Sequence, residues 1–174
     1  IRITASDFEF PKARFSEHGL GQLLAIEFGL AHFEFNKFKT KPKEGWPEVS
    51  EIIIAGSVGK EFARGVREGE VIAEEVNKSR ALANTPGGEM TPRLLAAAAR
   101  AAVVGTKVKV TILDKAKIET LGMGGVLGVA QGSAEEPRFI VLEYWGAGFP
   151  PKKGTKEATS GEARRPIVLV GKGV

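Results

Sequence analysis

A helical pattern over residues 57–84 constrains the fold of this chain more than any other feature. Six apolar side chains of this stretch fall on one helical face: Val58, Phe62, Val66, Ala73, Val76 and Ala83. Three glycines in its first half would each weaken a helix by about 1 kcal/mol: Gly59, Gly65 and Gly69. The pattern therefore predicts a long helix that depends on packing against a partner.

Strand and helix patterns lie on both sides of this long helix. Upstream, residues 1–4 and the β-branched run Glu51–Ala55 predict strands, and an apolar face from Ser16 to Phe38 predicts a helix between them. A helix between two strand-bearing segments is typical of a domain connector. The chain is therefore predicted to belong to the α/β class.

The second half alternates strand and helix patterns. Thr91 and Pro92 predict the cap and first position of a helix that ends near Gly105, and a short helix is expected over residues 115–121. Three runs predict strands: Lys107–Leu113, Arg138–Tyr144 and Pro166–Val170. This alternation predicts a largely parallel sheet with helices on its faces.

The composition excludes several classes of protein. Cysteine is absent, which excludes disulfides, zinc fingers and cysteine nucleophiles. No stretch approaches the roughly 20 apolar residues of a membrane-spanning helix, and the first residues do not form the apolar core of a signal peptide. We therefore expect no contact with a membrane. The sequence opens without methionine and within a strand-like run, so we expect it to be a fragment.

The net charge of +4 lies entirely in the last 24 residues. Residues 1–150 carry 19 basic and 19 acidic side chains, whereas residues 151–174 carry six basic and two acidic ones. Most of these basic residues lie in the Pro/Gly/Ser/Thr-rich stretch 147–165. No aromatic side chains alternate with them, so a solvated loop is favoured over a nucleic-acid surface.

Three further patterns have simple structural interpretations. His18 and His32 have no second ligand one helical turn away, which favours surface histidines over a metal pair. The glycines of Gly122–Gly125 favour close packing, because they do not complete a dinucleotide fingerprint. The sequence Asn77–Ser79 matches a glycosylation acceptor, but it lies within the predicted long helix.

Five segments follow one another in the order found in a single enzyme family: Arg80–Pro92, Leu121–Gly125, Val129–Ser133, Pro137–Tyr144 and Pro166–Val174. Upstream, Gly29–Lys39 is similar to the end of that family's N-terminal domain. The chain thus resembles the leucine aminopeptidases of the cytosolic two-metal family over nearly its whole length. It departs from them at Gly88, where asparagine is common, and in the stretch 147–165, which is expected to be either an insertion or a disordered loop.

The resemblance implies a division of the chain into three parts. Residues 1–56 correspond to the C-terminal part of the N-terminal domain, and residues 57–84 to the interdomain helix. Residues 85–174 correspond to the start of the catalytic domain, which would be truncated. The implied fold is therefore the end of an α/β domain, a connecting helix and the first part of an α/β catalytic domain.

The resemblance also implies a metallo-exopeptidase. Family members release N-terminal residues, preferably leucine and other apolar ones, from peptides, with two divalent ions of zinc, manganese or magnesium. The segment Gly171-Lys172-Gly173 matches a family motif in which the lysine is a metal ligand. A lysine amine binds a cation only after losing its proton, which burial and neighbouring positive charge favour. Lys172 is therefore the predicted metal ligand of this chain.

The resemblance places the remaining ligands and the catalytic residues after Val174. No residue of this chain is assigned a catalytic or cofactor-binding role beyond Lys172, and we expect the 174-residue chain alone to be inactive. The complete enzyme is expected to be a cytoplasmic homo-hexamer that acts on peptides. Two alternatives stay open at this point: a DNA-binding protein that uses Lys152, Lys153, Arg164 and Arg165, or a non-catalytic assembly module.

Overall fold

The computed structural model describes residues 1–8, 15–56, 58–146 and 167–173 of the chain. The chain divides into two compact units, Ile1–Thr85 and Pro86–Val174. Each unit contains two strands, which form a small sheet, and helices. Mixed helix and sheet in both units confirms the predicted α/β class.

The first unit is built around a strand–helix–strand arrangement. Its elements are β1 (Arg2–Thr4), a 3₁₀ turn (Ala5–Phe8), α1 (Glu17–Ala31), β2 (Ile53–Ala55) and α2 (Lys60–Asn84). The two strands pair in parallel, with Arg2 opposite Ile53 and Thr4 opposite Ala55. Parallel neighbours require a crossover, and α1 lies in this connection.

Helix α1 begins where the sequence predicts but ends earlier. Ser16 caps it, because its Oγ accepts a hydrogen bond from the backbone nitrogen of Gly19 at 3.0 Å. The apolar spacing predicted a helix as far as Phe38, whereas α1 ends at Ala31. The rings of Phe35 and Phe38 instead contact each other, with centroids 5.8 Å apart. The helical spacing at these positions therefore reflects a local aromatic pair.

Glycines on α1 and α2 allow the two helices to approach closely. A Cβ atom on Gly65 would lie 2.9 Å from the backbone nitrogen of Gln22 and still nearer to the carbonyl oxygen of His18. A Cβ atom on Gly29 would lie 2.5 Å from that of Ala73. The contacts follow the same order along both helices, so they lie side by side in parallel. Glycines that weaken α2 in isolation thus create the packing that stabilises it.

Side chains of α2 also hold the C-terminal end of α1. The Asn77 side-chain nitrogen donates to the Gly29 carbonyl oxygen at 2.8 Å, and Arg80 donates to that of Leu30 at 3.0 Å. The Arg80 guanidinium lies over the Phe33 ring, 4.3 Å from its centroid. The last carbonyl groups of a helix lack partners within it. Asn77, considered above only as a glycosylation acceptor, therefore acts with Arg80 as an interhelical cap.

Replacing Arg80 with alanine should lower the free energy of unfolding of the first unit by about 1–2 kcal/mol, because a hydrogen bond and a ring contact are lost. Arg80→Lys should recover less than half of this loss, since an ammonium group lacks the planar face that covers the ring. Urea denaturation measures both effects. Arg67→Ala, an exposed position on the same helix, is the control. Equal stability of the Arg80 and Arg67 variants would contradict the capping role.

Within its described residues, the second unit contains three helices and an antiparallel pair of strands. Its elements are α3 (Pro92–Ala102), β3 (Val108–Leu113), α4 (Lys115–Thr120), α5 (Gly124–Ala130) and β4 (Phe139–Tyr144). The predicted start of α3 is confirmed. The Thr91 Oγ atom accepts from the backbone nitrogen of Leu94 at 3.4 Å, and Pro92 occupies the first helical position.

The pairing direction of the second sheet differs from the prediction. Strands β3 and β4 are antiparallel, with Val108 opposite Tyr144 and Leu113 opposite Phe139. Two short helices, α4 and α5, lie between them and contact each other, and Gly122 between these helices has φ +64°. The connection is therefore not the single crossover helix that is usual between parallel neighbours. The predicted parallel arrangement is therefore wrong for these two strands.

Two local predictions for the second unit are also wrong. Nothing lies within 4 Å of a Cβ atom placed on Gly124 or Gly125, so these glycines do not serve close packing and instead begin α5. The predicted strand Pro166–Val170 is irregular over its described residues 167–170, whose side chains are 72–93% exposed. Strand propensity alone does not form a strand, because backbone partners are also required.

In the described ranges, no helix combines the length and the apolar character that crossing a bilayer requires.

Candidate metal centre

Lys172 lies in the short segment of residues 167–173, directly after the exposed apolar run. The segment has no regular secondary structure, and the Lys172 side chain is exposed. Glycines at positions 171 and 173 flank it, so neither neighbour covers the amine with a side chain. In this structure the amine is therefore open to solvent and to a cation.

The segment that carries Lys172 touches helix α3. A Cβ atom on Gly173 would lie 2.9 Å from Cδ2 of Leu95. Leu95 lies in the first turn of α3, where its backbone nitrogen donates to the Thr91 carbonyl oxygen at 3.0 Å. The second unit thus brings Gly173, next to the predicted ligand Lys172, close to the first turn of α3. The sequence gives no signal for this contact, because Leu95 lies outside the segments that resemble the family.

Lys172 is the residue of this chain that is predicted to supply a metal ligand. A deprotonated lysine amine is a nitrogen donor, and imidazole and amine nitrogens suit zinc and related ions. Among residues 1–8, 15–56, 58–146 and 167–173, no three His, Cys, Asp or Glu side chains lie close enough together to hold an ion. Two divalent ions need several carboxylates to balance their charge. The donor chemistry of Lys172 fits one position of such a centre, and its ligand role stays a prediction.

The histidines lie at opposite ends of α1. His18 Nε2 is 2.9 Å from Glu68 Oε2, so its ring forms a contact between α1 and α2. His32 is the C-cap residue of α1, and its backbone nitrogen donates to the Phe28 carbonyl oxygen at 3.1 Å. Both histidines are therefore explained by their places on the helix, as the sequence indicated.

Lys78, on α2, is a lysine whose pKa is raised by its neighbours. The Lys78 ammonium donates hydrogen bonds to the carboxylates of Glu74 and Glu75, with Nζ–Oε1 distances of 2.8 Å each, and these bonds raise the pKa of Lys78. These contacts keep its amine protonated, so Lys78 is unsuited to bind a metal ion.

An open cleft of about 460 Å³ lies between α4, α5 and the turn at residues 131–137. Gln131 and Ser133, from the family-like segment Val129–Ser133, line it together with Glu119 and Glu135. The Ser133 Oγ atom accepts a hydrogen bond from the backbone nitrogen of Glu135 at 3.1 Å. This hydrogen bond makes Ser133 part of the turn that follows α5.

The basic stretch 147–165 lies outside the described residues. The alternative of DNA binding through Lys152, Lys153, Arg164 and Arg165 therefore has no structural counterpart here.

Comparison with known sequences identifies related proteins. The profile of the cytosol aminopeptidase family, catalytic domain, matches residues 77–174, more than half of the chain. A probable cytosol aminopeptidase of Bordetella avium is 40% identical over 155 residues, which is 86% of this chain and 30% of that protein. One from Geobacter sp. is 39% identical over 153 residues, covering 87% of this chain and 28% of that protein.

Comparison with solved structures also identifies an aminopeptidase. A lysine-to-glutamate mutant of tomato leucine aminopeptidase superposes with a TM-score of 0.64 and 29% identity, over 72% of this chain and 25% of that one. The bottromycin maturation enzyme BotP in complex with manganese gives a TM-score of 0.63 and 26% identity, over 74% of this chain and 26% of that one. The chain spans less than a third of the length of these relatives.

Proposed function

The chain belongs to the cytosol aminopeptidase family, and from this membership we propose that it forms part of a metal-dependent aminopeptidase. The enzyme would release N-terminal residues from peptides, with a preference for leucine and other apolar residues. The observation that carries this proposal is the family match over residues 77–174, which includes the Gly171-Lys172-Gly173 motif.

Lys172 is proposed as a ligand of one of two divalent ions. The match of Gly171-Lys172-Gly173 to the family motif supports this role, and the two flanking glycines leave room for an ion beside the amine. One structural neighbour was solved with manganese, so manganese is proposed beside zinc and magnesium. Such a centre, when loaded, supplies Lewis-acid polarisation of the peptide carbonyl group and an activated water. Lys172 contributes a nitrogen donor, while the carboxylate ligands would come from the part of the relatives that this chain does not span.

We also propose that residues 57–84 connect an N-terminal domain, represented by residues 1–56, to a catalytic domain that begins at residue 85. The family match that starts at residue 77 and the boundary between units after Thr85 support this division. The names of the relatives support a cytoplasmic location. A homo-hexamer is proposed for the complete enzyme, and light scattering on the complete enzyme tests this assembly.

Two proteins should be compared to test the activity: the 174-residue chain and a gene product that contains it together with the remaining length of its relatives. Leucine amide hydrolysis in the presence of Mn²⁺ is expected from the longer protein only, with a difference of at least about a thousandfold. A chelator should abolish the activity, and added Mn²⁺ should restore it. Hydrolysis by the longer protein that persists in the chelator would contradict a metal-dependent enzyme.

A further inference from the structure

The connection between α1 and β2 carries lysines and aromatic rings that the proposed function does not use. Residues 32–52 contain no helix or strand, and a connection of more than about 15 residues is usually either functional or disordered. We propose that residues 37–46, called here the lysine loop, bind single-stranded nucleic acid, with the lysines against phosphates and the rings of Phe38 and Trp46 against bases. This proposal does not depend on the peptidase activity or on the role of Lys172.

The first observation is a local excess of positive charge. Residues 37–43 contain four exposed lysines and no acidic residue: Lys37, Lys39, Lys41 and Lys43. None of the ion pairs between described residues includes the last three of these lysines. Acidic residues flank the run at Glu34 and Glu44, so the basic surface is confined to the loop. Lysines that are not paired with carboxylates of the protein are available to phosphates, which dominate the affinity for nucleic acids.

The second observation is that aromatic rings lie among these lysines, as they do not in the basic stretch 147–165. The Lys37 Nζ atom lies 5.0 Å from the centroid of the Phe38 ring, and the Lys39 Nζ atom lies 5.7 Å from that of Trp46. Phe38 is 50% exposed, and Trp46 is half-buried. Proteins that bind single strands without sequence preference combine such rings, on which bases stack, with cations that follow the phosphates.

The third observation is that backbone hydrogen bonds within this connection shape the lysine loop. The Lys39 backbone nitrogen donates to the Asn36 carbonyl oxygen, and the Gly45 backbone nitrogen donates to the Pro42 carbonyl oxygen, each at 3.0 Å. Gly45 has φ +80°, a conformation that glycine adopts readily. These turns place Phe38 and Trp46 through contacts among neighbouring residues, which the longer protein would also contain.

The combination of lysines and rings favours a single strand over other anionic partners. Duplex DNA presents phosphates, but its bases are stacked on one another and would leave the two rings unused. An acidic peptide presents carboxylates without the flat faces that stack on every ring. An unpaired strand of DNA or RNA offers both phosphates and free base faces.

The test titrates the 174-residue chain with an oligothymidine of about 12 nucleotides at low salt and follows tryptophan fluorescence. Trp145→Phe leaves Trp46 as the reporter, because the chain has two tryptophans. We expect quenching, and a plot of log affinity against log salt with a slope of about −2 to −3, as three or four phosphates are neutralised. An oligouridine of the same length should bind within about threefold, because neither contact uses the 2′-hydroxyl group. A duplex of the same length should bind at least about fivefold more weakly. Absence of quenching, or equal affinity for the duplex, would overturn the proposal.

The lysines are tested by replacing three of them together with glutamine: Lys39, Lys41 and Lys43. The dissociation constant should rise at least about tenfold, and the salt slope should become less negative by about 2. The matched control removes three exposed lysines of the second unit in the same way: Lys107, Lys109 and Lys115. It should bind within about twofold of the original chain. A loss of the same size in the control would show an effect of net charge alone and would rule out the lysine loop.

The ring is tested by Phe38→Leu, which keeps an apolar side chain but removes the stacking surface. The dissociation constant should rise about fivefold with the salt slope unchanged, because no charge is lost. Circular dichroism checks that the fold is intact. Unchanged affinity in this variant would contradict the stacking role and the preference for a single strand.

Two further measurements locate the surface and extend it to the longer gene product. Replacing the basic residues of the stretch 147–165 with glutamine should weaken binding less than the triple lysine change in the loop. The reverse order would place the binding surface in that stretch and contradict the proposal. The longer gene product should bind oligothymidine with the same salt slope, and a failure to bind would show that the lysine loop is not a binding surface of the complete protein.

Discussion

Lys172→Met is expected to remove about one of the two proposed metal ions from the longer gene product and to lower leucine amide hydrolysis at least about a thousandfold. Methionine keeps an unbranched side chain of similar length, so packing changes little. The nitrogen donor is lost, however, and a thioether is a poor ligand for manganese or magnesium. Elemental analysis by mass spectrometry and steady-state kinetics measure the two effects.

Lys107→Met is the matched control, because Lys107 is also an exposed lysine outside regular structure in the second unit. This variant should retain both metal ions and full activity. Circular dichroism of both variants checks that the fold is intact. Normal metal content and activity in Lys172→Met would show that Lys172 is not a ligand.

Gly65→Ala is expected to lower the free energy of unfolding of the first unit by about 2–3 kcal/mol. The added methyl group would meet the carbonyl oxygen of His18 and the backbone nitrogen of Gln22, both of which are main-chain atoms of α1. A side chain can rotate away from such a clash, but a helix backbone cannot. The two helices must therefore separate along their length, and contacts near the buried residues Phe62 and Leu24 loosen.

Gly128→Ala is the control for this effect, because Gly128 is also helical but has nothing within 4 Å of its missing Cβ atom. Alanine there should stabilise the chain by about 0.5–1 kcal/mol, through the better helix propensity of alanine alone. Hydrogen exchange of amides in α1 and α5, with chemical denaturation, distinguishes the two units. If both substitutions stabilise, the close approach of α1 and α2 is not present in solution.

Helix starts could be predicted from the sequence because they depend on local chemistry. Ser16 and the Thr91–Pro92 pair act on backbone groups within the next turn, so neighbouring residues suffice to place α1 and α3. Helix α5 was not foreseen, because three glycines in seven residues give it a low intrinsic propensity. Tertiary context, here the contact with α4, overrides that propensity.

The direction of strand pairing could not be predicted because it depends on distant residues. The patterns at 107–113 and 138–144 locate β3 and β4 to within a residue, but nothing in either run states whether its neighbour is parallel or antiparallel. The connection differs from the single crossover helix of a parallel pair, because it contains two short helices with Gly122 at φ +64° between them. Apolar strand-like residues at 167–170 illustrate the same limit, since the pattern does not supply a partner.

The candidate site was only partly visible in the sequence. A family motif around Lys172 predicts its ligand role, whereas Leu95, which lies between Leu94 and Ala96, carries no pattern that predicts its approach to Gly173. The roles of Asn77 and Arg80 depend on carbonyl groups 48 and 50 residues away in the sequence. Such contacts follow from the packing of α1 against α2. The periodicity of apolar residues predicts each helix, but it does not predict how the two helices lie against each other.

The contacts that α2 makes with the C-terminal end of α1 determine where this chain can be divided into shorter proteins. The match to the catalytic-domain profile starts at residue 77, which suggests that position as the start of a shorter protein. A chain cut there would keep the amide of Asn77 and the guanidinium of Arg80 but discard the two carbonyl groups and the Phe33 ring that they contact. A cut after Thr85, where the two compact units meet in sequence, would leave these partners together on one side.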